Sequence, residues 1–166
     1  MRQGRGHVCI RNAVPHEIHE IQRVARKTWD DTYRGSIPED VRREFVSRAY
    51  SADSLGRRME SNVFLVAAKG GEIFGFADFR RISETSVEVA AIYVLPEMQG
   101  HGIGARLLEA GIGRVPQTTK VVLRVERDNT RAKRFYEAHG FRSAAEHAED
   151  LYGHEVREVE MVLYPH

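Results

Sequence analysis

Ile92-Tyr93-Val94-Leu95-Pro96-Glu97-Met98-Gln99-Gly100-His101-Gly102-Ile103-Gly104-Ala105-Arg106-Leu107-Leu108 is the stretch that decides the reading of this chain. A β-branched run empties into a glycine-rich turn that opens a helix. The first turn of a helix carries backbone N–H groups without intrahelical partners, and its aligned peptide dipoles place partial positive charge there. Glycines at 100, 102 and 104 remove the Cβ atoms that would hold a phosphate off the backbone. The arrangement reads as a diphosphate cradle. The bland alternative is a tightly packed strand-to-helix turn with no ligand. The run lacks the Gly-Lys-Ser/Thr ending of a P-loop. Gly100-x-Gly102-x-x-Ala105 also fits a loose dinucleotide fingerprint, with Glu126 at the ~20-residue spacing of a ribose-binding carboxylate. Against that reading, Pro96-Glu97-Met98-Gln99 separates strand from glycines, and too little chain follows for two mononucleotide-binding halves.

The 166 residues, 42% hydrophobic and 30% charged, suit one domain over 1–166 with a proper core. Twenty-five basic against twenty-four acidic side chains leave a formal charge of +1, so bulk electrostatics announces no nucleic-acid partner. No apolar run approaches the ~20 residues that span a bilayer, and Met1-Arg2-Gln3-Gly4-Arg5-Gly6 leads into no signal-like segment; no membrane partner and a cytoplasmic location are expected. Cys9 is the only cysteine, and its place in Val8-Cys9-Ile10 predicts a buried small residue. His16 and His19 form a loose pair with no third ligand nearby, so no metal site is expected. Arg42-Arg43 and Arg57-Arg58 read as solvated helix faces, with a basic rim that receives a phosphate as the alternative.

Around the cradle the order of elements is mixed. A short strand near 7–12 precedes a helix on which Ile18, Ile21, Val24, Ala25, Thr28 and Trp29 recur at helical spacing, with Pro15 at its start. Pro38 opens a second helix, and Ser51 caps a third that carries Leu55 and Met59. Phe64-Leu65-Val66-Ala67-Ala68 and Ile73 to Phe79 form a hairpin about Gly70-Gly71, and a third strand runs from about Ser86 to Leu95. After the cradle helix come a strand at 121–125, a helix from Thr130 to His139 ending at Gly140, and two closing strands. The fold class is α/β.

The second patterned segment is Asn129-x-x-Ala132-x-x-Phe135-Tyr136-Glu137-x-x-Gly140-Phe141, which places Ala132, Phe135, Tyr136 and His139 on one helical face. Read alone, these are core aromatics behind an Asn129 cap. Together with Val94 and Gln99-Gly100-His101-Gly102-Ile103-Gly104, the segment resembles the two acetyl-CoA motifs of the GNAT family of N-acyltransferases, over roughly residues 62–145. The resemblance implies a mixed, mostly antiparallel sheet with a splayed central strand pair, flanked by helices. It implies acetyl-CoA as co-substrate, with the diphosphate on Gln99, Gly100, His101, Gly102, Ile103, Gly104 and Ala105, and the pantetheine arm along the backbone of Ile92, Tyr93 and Val94. Asn129 would fix the arm, with Arg131 and Lys133 toward its far side. Tyr136 would approach the thioester sulfur as acid, and a homodimer is left open.

Such enzymes pass the acyl group directly to an amine, so no enzyme nucleophile is required. An alkylamine of pKa ~10.4 is on the order of 0.1% neutral near pH 7, roughly 4 kcal/mol that a base and a preorganised site must offset. Glu88 matches the position of a frequent family carboxylate and is the candidate base. Other members place a glutamate five residues before the motif asparagine, where this chain has Arg124.

For the acceptor, Trp29-Asp30-Asp31-Thr32-Tyr33-Arg34-Gly35-Ser36-Ile37-Pro38 looks like a stretch of bacterial polyamine acetyltransferases. Trp29 and Tyr33, at i and i+4, can face one pocket, and aromatic faces beside Asp30, Asp31 or Glu39 suit a cationic amine. They equally suit packing of the helix on the sheet. The expected activity is acetyl transfer to a small primary amine, a polyamine foremost. Acetylation of peptide N-termini or lysines, or acyl-CoA sensing without turnover, are the alternatives.

Overall fold

The computed structural model describes residues 7–165. β1 (Cys9–Asn12) is followed by α1 (Ile18–Tyr33), α2 (Glu39–Ala49), α3 (Ala52–Ser61), β2 (Val63–Lys69), β3 (Glu72–Arg81) and β4 (Ser86–Val94). Then come α4 (Ile103–Gly113), β5 (Lys120–Glu126), α5 (Thr130–Ala138), β6 (Arg142–Leu151) and β7 (His154–Leu163). The strands form one seven-stranded sheet in the order β1-β2-β3-β4-β5-β7-β6. Every neighbouring pair is antiparallel except β4 and β5.

Alternation along the strands sends side chains to two separate cores. On one face α1 packs Ile21, Val24, Ala25 and Trp29 against Phe64, Val66, Phe76 and Ala91. On the other, α4 packs Ile103, Leu107 and Leu108 with Leu65, Ala77, Phe79 and Leu123, and α5 adds Tyr136. Local chemistry sets the helix starts. The Ser51 hydroxyl accepts the Ser54 N–H at 3.1 Å at the head of α3, and Asn129 Oδ1 accepts the Ala132 N–H at 3.1 Å at the head of α5. Before α1, Glu17 accepts the Val14 N–H at 3.0 Å and is clasped by Arg11 at 2.6 and 3.1 Å.

The parallel pair β4–β5 is short. Only Ser86↔Lys120, Val87↔Val121 and Glu88↔Val122 are in register, although both strands run on. Immediately beyond, β4 carries a bulge: Phe79 pairs Val89 and Asp78 pairs Ala91, so Ala90 is the extra residue. A bulge bends its strand and increases local twist, and here it turns the end of β4 away from β5. The expected splayed pair is thus present, with a bulge beside its point of divergence.

Three expectations need correction. Cys9 is exposed, because β1 is an edge strand and the inward positions fall on Val8 and Ile10. Arg42 is buried; its guanidinium donates to the Ile37 carbonyl at 2.6 Å and pairs with Asp30 at 3.3 Å. Arg58 reaches into the sheet to pair with the buried Asp78 at 2.8 Å, and Asn62 donates to the other Asp78 oxygen at 2.7 Å.

One glycine in α4 is required by packing. A Cβ at Gly111 would lie 2.0 Å from the buried Phe79 ring, whereas one at Gly113 meets nothing within 4 Å. Gly111→Ala should destabilise the fold by about 1–3 kcal/mol through overpacking, and Gly113→Ala should stay within about 1 kcal/mol of the parent. Urea unfolding of both variants measures the difference.

Candidate active site

The divergence of β4 and β5 opens a cleft of about 770 Å³ between the two layers of helices. Its cradle end is built from the turn that links β4 to α4. Gly100 and Gly102 hold φ of +84° and +80°, in the left-handed region, and a Cβ at either would project into open space. The first bond into α4 is from the Arg106 N–H to the Gly102 carbonyl at 3.1 Å, so among the described residues the N–H groups of Ile103, Gly104 and Ala105 have no partner. A left-handed Gly102 ahead of free amides at a helix N-terminus fits a diphosphate. Gln99 folds back to donate from Nε2 to the Val94 carbonyl at 3.0 Å, pinning the turn to the strand.

Along β4 the backbone divides between two partners. The Leu95 N–H bonds the Phe74 carbonyl at 2.8 Å across β3, so strand alternation sends the Ile92 and Val94 backbone groups into the gap and those of Tyr93 toward β3. Ile92, Tyr93 and Val94, the three residues expected to present backbone to a pantetheine arm, all line the cleft, with the Tyr93 backbone groups turned to β3. The Tyr93 hydroxyl accepts the Trp29 indole N–H at 2.9 Å, and its ring meets Phe76 edge-on at 5.3 Å.

On the opposite wall, α5 contributes Ala132, Phe135, Tyr136 and His139. Tyr136 is 8% exposed, and its hydroxyl has no hydrogen-bond partner among the described residues. Burial pushes that hydroxyl far above its ordinary pKa, with the neighbouring Tyr93 adding to the effect. It stays protonated at any physiological pH and is a donor aimed at whatever enters.

The expected site residues separate into two groups. Ile92, Tyr93, Val94, Gln99, Gly100, Gly102, Ile103, Gly104, Ala105, Asn129, Arg131, Tyr136 and Tyr33 all line the cleft. His101, Lys133, Trp29 and Glu88 do not. His101 is exposed and turns Nδ1 to the Met98 carbonyl at 3.1 Å. Trp29 is 7% exposed, stacked on Phe45 at 4.3 Å, and stands behind Tyr33 and Tyr93 as their support. Glu88 is held by Arg80, whose Nε and Nη2 both donate to Oε1 at 3.1 and 2.7 Å. This cross-strand pair follows from the register Arg80↔Glu88.

Sequence reasoning missed the wall supplied by the end of α1 and by β5. Thr28 and Thr32 line the cleft beside Tyr33 and the anticipated Asp31, as do Leu123, Arg124 and Val125. Spacing of i, i+3 and i+4 marks Thr28, Asp31 and Thr32 as one helical stripe. The Tyr33 hydroxyl lies against the Asn129 side chain and feels the charges of Glu126 and Glu158; burial and those charges hold its pKa far above the ordinary value. Among the described residues no group of three or more His, Cys, Asp or Glu is arranged to hold a metal ion. No helix of the described residues is long and apolar enough to cross a membrane.

Comparison with known proteins agrees with this geometry. The model of the acetyltransferase (GNAT) family matches residues 19–141. An uncharacterized N-acetyltransferase of Bacillus subtilis, YuaI, is 32% identical over 108 residues, which are 63% of this chain and 62% of that protein. A spermidine N(1)-acetyltransferase of Thermoplasma acidophilum is 29% identical over 141 residues, 80% of this chain and 87% of that protein. Among solved structures, the PaiA N-acetyltransferase from Thermoplasma acidophilum in complex with coenzyme A superposes with a TM-score of 0.83 over 96% of this chain and 99% of that one, at 23% identity. With the family model spanning both the cradle and the Asn129 segment, the chain belongs to the GNAT acetyltransferase family and is an acetyl-CoA-dependent enzyme.

Proposed function

We propose that this protein transfers the acetyl group of acetyl-CoA to a primary amine of a polyamine. The observation that carries the acceptor class is the charge of the sheet face onto which α1 ends. Arg124 and Glu126 of β5, Glu158 and Glu160 of β7, and His147 and Glu149 of β6 share that face by strand alternation and register. Around Glu158 the carboxylates of Glu126, Glu149 and Glu160 outnumber Arg124 and His147, while Lys120 and Arg142 stand further along the same strands. Asp31, which makes no ion pair among the described residues, and the Tyr33 ring extend this surface into the cleft. Such a surface attracts an amine with several positive charges and disfavours an anionic acceptor. The spermidine acetyltransferase relative supports the same class.

Acetyl-CoA supplies an activated thioester carbonyl when bound. The Val94 N–H, turned into the gap, is placed to polarise a carbonyl oxygen there. The Tyr136 hydroxyl donates a hydrogen bond to the departing sulfur. Its raised pKa makes complete proton transfer to a thiolate of ordinary pKa ~8.5 costlier than for a solvated phenol, so its contribution is stabilisation of developing negative charge. Asn129 and Gln99 hold the two ends of the gap, one capping α5 and the other tying the cradle to β4. Glu88 is engaged by Arg80 at 2.7 Å, a cation that competes with an incoming ammonium for its carboxylate.

Acetyl-CoA-dependent thiol release should be saturable with spermidine and spermine and weak with amino acids and short peptides. Tyr136→Phe should lower kcat on the order of 10- to 100-fold with little change in coenzyme A affinity. Release with peptides alone would replace the polyamine reading, and tight coenzyme A binding without release from any amine would favour a sensor. In the same assay Asp31→Asn should raise the KM for spermidine several-fold and leave the KM for acetyl-CoA unchanged.

A further inference from the structure

We propose that Glu158 is the proton acceptor for the ammonium of the incoming amine, the role that sequence alone gives to Glu88. The inference rests on the amine-acetylation reading above and adds the residue that makes the amine nucleophilic.

The carboxylates on the acceptor face differ in what already holds them. Glu88 is taken by Arg80. Glu160 is paired with His147 at 2.9 Å, and Glu149 with Arg124 at 3.3 Å. Glu126 makes no ion pair among the described residues but lines a separate, smaller pocket of about 240 Å³ with Ser36, Asp128 and Arg157. The Glu158 side chain is 26% exposed and, like that of Glu88, stands outside the cleft lining itself, behind the lining residue Arg124. Glu158 is different in two respects. Its cation, Arg124, is a cleft-lining residue that stands 3.8 Å away and is shared with Glu149, so no short ion pair occupies its oxygens. It also sits directly opposite Glu126 in the β5–β7 register, where two like charges face each other.

The charged and titratable groups facing Glu158 come from every strand around it. β5 presents Arg124 and Glu126, β6 presents His147 and Glu149, and across the gap stand the hydroxyls of Tyr33 from α1 and Tyr93 from β4. Burial, then Glu149, lifts the Glu158 carboxyl above the usual range; Arg124 and His147 pull it back, and Glu126 lifts it again. A carboxylate in that position is a stronger base than a solvated one. Its charge reaches both tyrosines that border the throat of the cleft.

The step balances simply. An N–H bond of the ammonium breaks and its proton passes to the Glu158 carboxylate, which later returns it to solvent. The freed lone pair forms the C–N bond with the acetyl carbonyl carbon, the C–S bond breaks, and the second proton lost by nitrogen ends on the sulfur. One ammonium and one thioester give one amide, one thiol and one proton.

The test compares wild type with Glu158→Gln, Glu158→Asp and Glu88→Gln, with spermidine as acceptor, over a pH range approaching the pKa of the amine. Glu158→Gln should lower kcat/KM at pH 7 by about 100-fold or more, and the deficit should close as pH rises and the amine deprotonates unaided. The wild-type loss of activity on acidification, as Glu158 takes up a proton, should be absent from the variant. Glu158→Asp should recover part of the rate, Glu88→Gln should stay within a few-fold of wild type, and the KM for acetyl-CoA should not move. Relief of the Glu126 opposition should leave the melting temperature of Glu158→Gln at or above that of wild type. A wild-type pH profile in Glu158→Gln, a loss equal at every pH, or a collapse confined to Glu88→Gln would overturn the assignment. If wild type acetylates some amine other than spermidine, the polyamine reading fails while the same profiles on that amine still decide Glu158. No turnover with any amine overturns both.

Discussion

The separation of β4 from β5 after three residue pairs is the constraint on which everything else in this molecule depends. A parallel pair continued to the ends of both strands would satisfy their backbone groups and close the sheet. With Ala90 inserted as a bulge, the strands part, and the main-chain groups of Ile92 and the N–H of Val94 are left facing a gap, the Val94 carbonyl being taken by Gln99. Buried backbone polar groups demand partners, so the fold contains a place where an extended, amide-bearing ligand completes the sheet. The cradle at the head of α4 lies at one end of that gap, and the donor hydroxyl of Tyr136 on its wall. The aromatic stack of Trp29, Phe45, Tyr50, Phe76 and Tyr93 fills the space beneath β4 and fixes the angle of its bent end.

Much of this was legible in the sequence because the information is local. Glycine spacing announced the cradle, an asparagine three residues ahead of Ala132 announced the cap of α5, and the order of strands and helices followed from periodicity. Glu88 shows where local reasoning stops. Its strand position was read correctly, but the antiparallel register with β3 delivers Arg80 to it, and no spacing within residues 86–94 reveals that. Trp29 and Tyr33 illustrate the same point at shorter range. One helical turn apart, they seemed interchangeable, yet a tryptophan large enough to bridge Phe45 and Tyr93 is drawn into the core, and the tyrosine beyond it is left at the cleft.

Glu158 was invisible for a further reason. It lies in a strand whose sequence, Glu155-Val156-Arg157-Glu158-Val159-Glu160, is an ordinary alternation of charged and apolar residues. Its surroundings exist only once β7 inserts between β5 and β6, out of chain order. That insertion sets Glu126 on one side of it and His147 on the other. The chemistry of the acceptor face is thus a product of topology, and the charges that define it come from three strands spread over the last third of the chain.

The same topology has a mechanical side. β1 to β4 with their helices form one plate, β5, β7 and β6 form a second, and the sheet joins them along a seam only three residues deep. Each plate keeps most of its own hydrogen-bond ladder, and beyond the seam the two are joined by the core that α4 and α5 cover rather than by backbone bonds. An extended molecule held between the plates would act as a splint, bridging two ladders that the protein itself leaves unjoined beyond Glu88 and Val122.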